Sequence, residues 1–68
     1  MPNNPRSKPL TTKQAAEFLG KPEGTLNNWR WAGRGPAFVK IGHSVRYLEE
    51  DLVRFIERNR VEPSEAMA

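Results

Sequence analysis

Residues 10–33 read LTTKQAAEFLGKPEGTLNNWRWAG, and the punctuation of this stretch decides the fold. Thr11 is followed three positions later by Gln14, the spacing of a capping box in which each side chain satisfies an orphan backbone N–H. Leu10 before the cap and Ala15 at the fourth helical position fit a hydrophobic staple. Ala15, Ala16, Phe18 and Leu19 form an apolar stripe, and Gly20 is a C-terminal stop, so the first helix has about two turns. Lys21-Pro22 is the turn, since Pro22 cannot continue one helix but suits the first turn of the next. The second helix is expected from Glu23 to Ala32, with Gly33 as its stop. At about 100° per residue, Leu26 and Trp29 share one face with Thr25 and Ala32 at its edge. Gly24, Asn27 and Trp31 take the opposite face, flanked by Asn28 and Arg30. Two short helices, a tight turn and an outward polar face give a helix-turn-helix shape.

Beyond this unit, Gly33-Arg34-Gly35-Pro36 breaks the helix and redirects the chain. Phe38-Val39-Lys40-Ile41 and Val45-Arg46-Tyr47 alternate across Gly42-His43-Ser44, the pattern of a β-hairpin. A three-residue loop pairs Ile41 with Val45 and Val39 with Tyr47 on an apolar face, and sets Lys40 opposite Arg46 on the other. Like charges placed so are unfavourable unless something such as a phosphate neutralises them. A last helix starts near Glu49, with Glu49, Glu50 and Asp51 favoured in its first turn by the helix dipole. Leu52, Phe55 and Ile56 make its core stripe, with Leu48 leading in. The expected fold is mainly α with a small β-hairpin: two helices, a two-stranded wing and a closing helix. Residues 1–9 are expected as a flexible arm, 10–58 as the domain and 59–68 as a mobile tail.

Sixty-eight residues with 37% hydrophobic content support one small core. With no Cys and His43 as the single His, neither disulfides nor the usual zinc ligand sets can be assembled. The absence of Cys fits a reducing cytoplasm. No apolar run approaches the roughly 20 residues of a membrane helix, and no signal-peptide h-region opens the chain. A cytoplasmic protein without cofactor or metal is expected. Enzymatic readings fail on inventory, for there is no Gly-rich phosphate loop after a strand, and contiguous Glu49-Glu50-Asp51 suits capping better than metal chemistry. The net charge of +3 is unevenly spread: residues 1–48 hold eight Lys/Arg against two Glu, and residues 49–68 hold three Arg against six acidic groups. A basic body with an acidic end suggests a polyanion-binding face.

In order and spacing these residues resemble the excisionase-type helix-turn-helix family, related in architecture to the DNA-binding domain of MerR-type regulators. The likeness is carried by Leu10-Thr11, Ala16, Leu19-Gly20, Thr25-Leu26 and Trp29-Arg30, then by Gly33, Gly35-Pro36, Phe38, Lys40, Gly42, Arg46-Tyr47 and Asp51-Leu52. It spans about residues 10–56, with one departure at Pro22, where the family usually has a Ser-like cap. The resemblance implies a winged helix-turn-helix that binds double-stranded DNA. In function it implies a phage excisionase, a recombination directionality factor that bends attachment-site DNA as adjacent head-to-tail copies and directs a tyrosine integrase toward excision. A small AlpA-like phage or prophage transcription regulator is the alternative.

The residues expected at DNA are Gly24, Thr25, Asn27, Asn28, Arg30, Trp31, Arg34, Lys40, His43, Ser44 and Arg46. Asn27 and Asn28 are either solvated surface or readers, since an Asn amide in the major groove can donate to adenine N7 and accept from N6. Gly24 lets backbone approach DNA, and Thr25 bonds either a phosphate or its own helix. Arg30 and Arg34 are phosphate partners, or else free surface cations. Arg46 has a choice between DNA and a carboxylate at Asp51 or Glu50. His43 is either a plain turn residue or, as the resemblance implies for a wing tip, a minor-groove contact. Trp29 is read as core beside Leu26. Trp31 is either an aromatic partly covered by Arg34 or the wing, or a contact to DNA sugars or a neighbouring subunit. A protein-interaction module centred on Trp31 is the reading from a different class.

Overall fold

The computed structural model describes residues 8–63, so most of the arm and half of the tail expected at 1–9 and 59–68 lie outside the described residues. Thr11 is extended, its hydroxyl accepts from the Gln14 N–H at 3.1 Å, and Gln14 Oε1 accepts from the Thr11 N–H at 2.9 Å. This reciprocal cap starts α1 (Thr12–Leu19), and Gly20 ends it. α2 (Glu23–Ala32) begins directly after Pro22, which supplies no side-chain cap; the Pro22 carbonyl accepts from the Thr25 N–H at 3.0 Å instead. Gly33 ends α2, as expected. β1 (Val39–Ile41) and β2 (Ser44–Arg46) form an antiparallel hairpin, and α3 (Glu49–Arg58) closes the chain.

The core is Ala15, Ala16, Leu26, Tyr47 and Leu52, with Leu10, Leu19, Trp29 and Val45 packed around it. The small side chains of Ala15 and Ala16 put α1 at the centre, where it packs against both α2 and α3. The Trp29 and Phe55 rings, 5.4 Å apart and tilted by 52°, join α2 to α3. Tyr47 is the keystone. Its ring is buried, and its backbone N–H and C=O pair with Leu10 at 2.8 and 2.7 Å, stitching the end of the hairpin to the start of α1.

The hairpin corrects the expected register. Val39 pairs with Arg46, Lys40 with Val45 and Ile41 with Ser44, so the loop is the two residues Gly42-His43 and Lys40 does not oppose Arg46. The cause is Gly42, whose φ of 63° at the first loop position matches the tight type II′ turn. A one-residue slip of this kind exchanges the faces of one strand relative to the other. Lys40 therefore shares its face with Val45, while Arg46 lies with Val39 and the half-exposed Ile41. The like-charge clash expected from the longer loop does not exist.

Two expected core residues also move outward. Phe18 is 40% exposed and Ile56 44% exposed, whereas Ala15 and Leu52 on the same helices are buried. Helices of eight to ten residues in so small a domain bury only a narrow stripe, and both aromatic and aliphatic residues on its flank stay in solvent. Among the described residues no helix is long and apolar enough to cross a membrane.

Candidate nucleic-acid interface

The packing of Leu26 and Trp29 against α1 and α3 fixes which side of α2 faces out. Gly24, Asn27, Asn28 and Trp31 are exposed on that side, and Trp31 is 93% exposed, so neither Arg34 nor the wing covers it. Thr25 is half-buried at the edge. Arg34 is exposed just beyond the helix, its backbone N–H donating to the Trp29 carbonyl at 2.8 Å.

The corrected register brings the wing toward this helix face. Arg30, Trp31, Phe38, Lys40 and Val45 line one open groove of about 290 Å³ between α2 and the hairpin. Lys40 thus stands across from the exposed indole. His43 and Ser44 are exposed at the wing tip. Arg46 is on the other wing face, half-buried, with Nη1 donating to the Val45 carbonyl at 2.8 Å. The groove therefore brings Arg30, Trp31 and Lys40 together, with Asn27 joined to them through Arg30, whereas Arg46 lies on the other wing face.

Arg30 is not a free surface cation. Its Nη1 donates to the buried Tyr47 hydroxyl at 2.7 Å and to Thr12 Oγ1 at 3.4 Å, and its Nη2 donates to Asn27 Oδ1 at 2.6 Å. Its guanidinium carbon lies 5.8 Å from the Phe38 ring centre and 5.9 Å from that of Tyr47, within cation–π range. The planar fork is held by core, wing and helix face together. Sequence reasoning missed Tyr47, Thr12 and Phe38 as its holders, because the hydrogen-bonded partners lie 17 and 18 positions away and no local spacing joins them.

On the remote end, charge is largely self-neutralised. Asp51 carries Arg54 at 2.8 Å, and Arg60 lies 3.8 Å from Glu57 and 3.6 Å from Glu62. Asp51 is therefore already engaged within α3 rather than by Arg46. Arg34 just beyond α2 and Lys40 on the wing are exposed basic groups beside the outward face of α2, an arrangement that suits a polyanion with base edges in a groove and phosphates at its rims.

Residues 9–60 match the family model described as a helix-turn-helix domain. Comparison with curated proteins and with solved structures gave no match. The family match covers most of the chain and falls on the three helices and the wing just described: the chain belongs to the helix-turn-helix domain family, a DNA-binding fold.

Proposed function

We propose that this protein is an excisionase-type architectural factor that lays α2 in the major groove of attachment-site DNA and sets its wing against the flanking backbone. The observation that supports this most is the exposed face of α2, with Trp31 93% exposed, sharing a groove with the basic wing residue Lys40. In this reading Gly24, Thr25, Asn27, Asn28 and Trp31 meet bases and sugars, whereas Arg34, Lys40 and Arg46 meet phosphates, with His43 and Ser44 at the minor groove. Adjacent copies bend the DNA and bring distant integrase sites together, and a tyrosine integrase performs the chemistry. The step from DNA binding to excision rests on the resemblance in residues 10–56, and a DNA-bound factor of this kind works in the cytoplasm of its bacterial host.

The test is footprinting on the DNA flanking its own gene, a gel-based bending assay and plasmid excision with the cognate integrase. Protected sites in an attachment region, bending and stimulated excision are the expected results. A footprint confined to a promoter, with no stimulation of any integrase tried, would assign the protein to AlpA-like regulators. Salt-insensitive binding to another protein without DNA would favour the interaction module.

A further inference from the structure

We propose that Arg30 is a positioning residue that makes Asn27 a donor-only reader, so that this position of α2 selects guanine rather than adenine. The inference rests on the DNA-binding reading above and deepens it. A guanidinium has donors and no acceptor, so the amide atom 2.6 Å from Arg30 Nη2 must be the oxygen of Asn27. The amide cannot flip without setting its NH₂ against a cation. Arg30 in turn cannot swing away freely, since Tyr47, 1% exposed, holds Nη1 through its hydroxyl at 2.7 Å and Phe38 and Tyr47 flank the fork. A chain of hydrogen bonds thus runs from the core to an exposed side chain on the outward face of α2.

The chemistry presented to a base edge follows. With its carbonyl engaged by a cation, Asn27 offers the two N–H donors of its amide. Adenine recognition by Asn needs the carbonyl to accept from N6–H₂, and that amino group would arrive beside a guanidinium of the same polarity. Guanine offers N7 and O6, two neighbouring acceptors and no donor on that edge, which suits an NH₂ backed by positive charge. Asn28, exposed beside it and without such a partner among the hydrogen bonds described, keeps both amide functions for adenine.

The experiment is selection from a randomised duplex library with the wild type, Asn27→Ala, Arg30→Lys and the double variant, beside affinity for an unrelated duplex and a circular-dichroism melt. Lysine keeps the charge but cannot span the Tyr47 hydroxyl and the Asn27 carbonyl with one fixed fork. The expected wild-type site contains one guanine favoured about tenfold, within the range of a single base contact. Asn27→Ala and Arg30→Lys should each remove that preference and no other, with the double variant no worse there, and the ratio of cognate to unrelated-duplex affinity should fall about tenfold in each. Replacing that guanine by 7-deazaguanine should weaken wild-type binding several-fold and leave Asn27→Ala indifferent, a readout that needs no folded Arg30 variant. Adenine at the position sensitive to Asn27→Ala, or a guanine preference that survives Arg30→Lys, overturns the inference while leaving DNA recognition standing. A wild type that selects no sequence at all overturns the recognition reading and this inference together.

Discussion

Gly35→Ala should destabilise the domain far more than Gly33→Ala, although both glycines have positive φ, 93° and 72°. A methyl group at position 33 would meet no atom within 4 Å. One at position 35 would lie 2.9 Å from Trp29 Cβ and 3.0 Å from Trp29 Cε3. The first of these is the root of the side chain and cannot retreat without the helix, and the ring is pinned against Phe55 at 5.4 Å. Gly33→Ala therefore loses the backbone term alone, about 1–2 kcal/mol for a left-handed L-residue. Gly35→Ala adds an overpacking cost of about 1–3 kcal/mol. Against a total of about 0.05–0.15 kcal/mol per residue in ordinary domains, the second substitution removes a large part of the stability of so short a chain. Matched urea and thermal melts measure this, each kcal/mol lowering Tm by about 4–8 °C at this size. Equal losses for the two variants would refute the close approach of the wing-leading loop to Trp29. The contact also matters for function, because this loop carries the chain from α2 to the wing that shares its groove.

The remaining expectations concern DNA. If Arg34, Lys40 and Arg46 neutralise three phosphates, log Kobs against log salt should have a slope near −2.7, at about 0.9 per phosphate, and Lys40→Ala should flatten it by about 0.9; a slope near zero by fluorescence anisotropy would remove DNA as the partner. Trp31→Ala should leave stability within about 0.5 kcal/mol, since the indole is 93% exposed, yet weaken cognate DNA several-fold; unchanged affinity would take Trp31 out of the interface. Truncation after Asn59 should spare folding and bending, because α3 ends at Arg58, the Asn59 amide still donates to the Phe55 carbonyl at 2.8 Å, and the lost pairs of Arg60 are exposed. In a plasmid assay with the cognate integrase the same truncation should lower excision, as a tail that links two DNA-bound proteins raises their effective concentration; full activity would remove the tail from the mechanism.

The helices were legible because their ends obey local chemistry. Thr11 and Gln14 cap α1 within one turn, Gly20 and Gly33 stop α1 and α2, and Pro22 separates the two helices, all within interactions of a few residues. The outward set Gly24, Asn27, Asn28 and Trp31 followed from periodicity once Leu26 and Trp29 were taken as the core side. The helix-turn-helix character of residues 10–56 was likewise carried by the sequence, and the match over residues 9–60 is to the helix-turn-helix domain family. Other features were settled only in three dimensions. The hairpin register turned on whether Gly42 opens a two- or a three-residue loop, and both lengths keep alternation within each strand while pairing different faces. The exposure of Phe18 and Ile56 depended on how much of each helix flank its neighbours reach, which a helical stripe does not specify. Arg30 looked like any basic residue at a helix edge, and only the fold brings it to Thr12, Phe38 and Tyr47. Capping and periodicity act over one or two turns and so are written in the chain, whereas register, coverage and the hold on Arg30 arise between segments that meet only after folding.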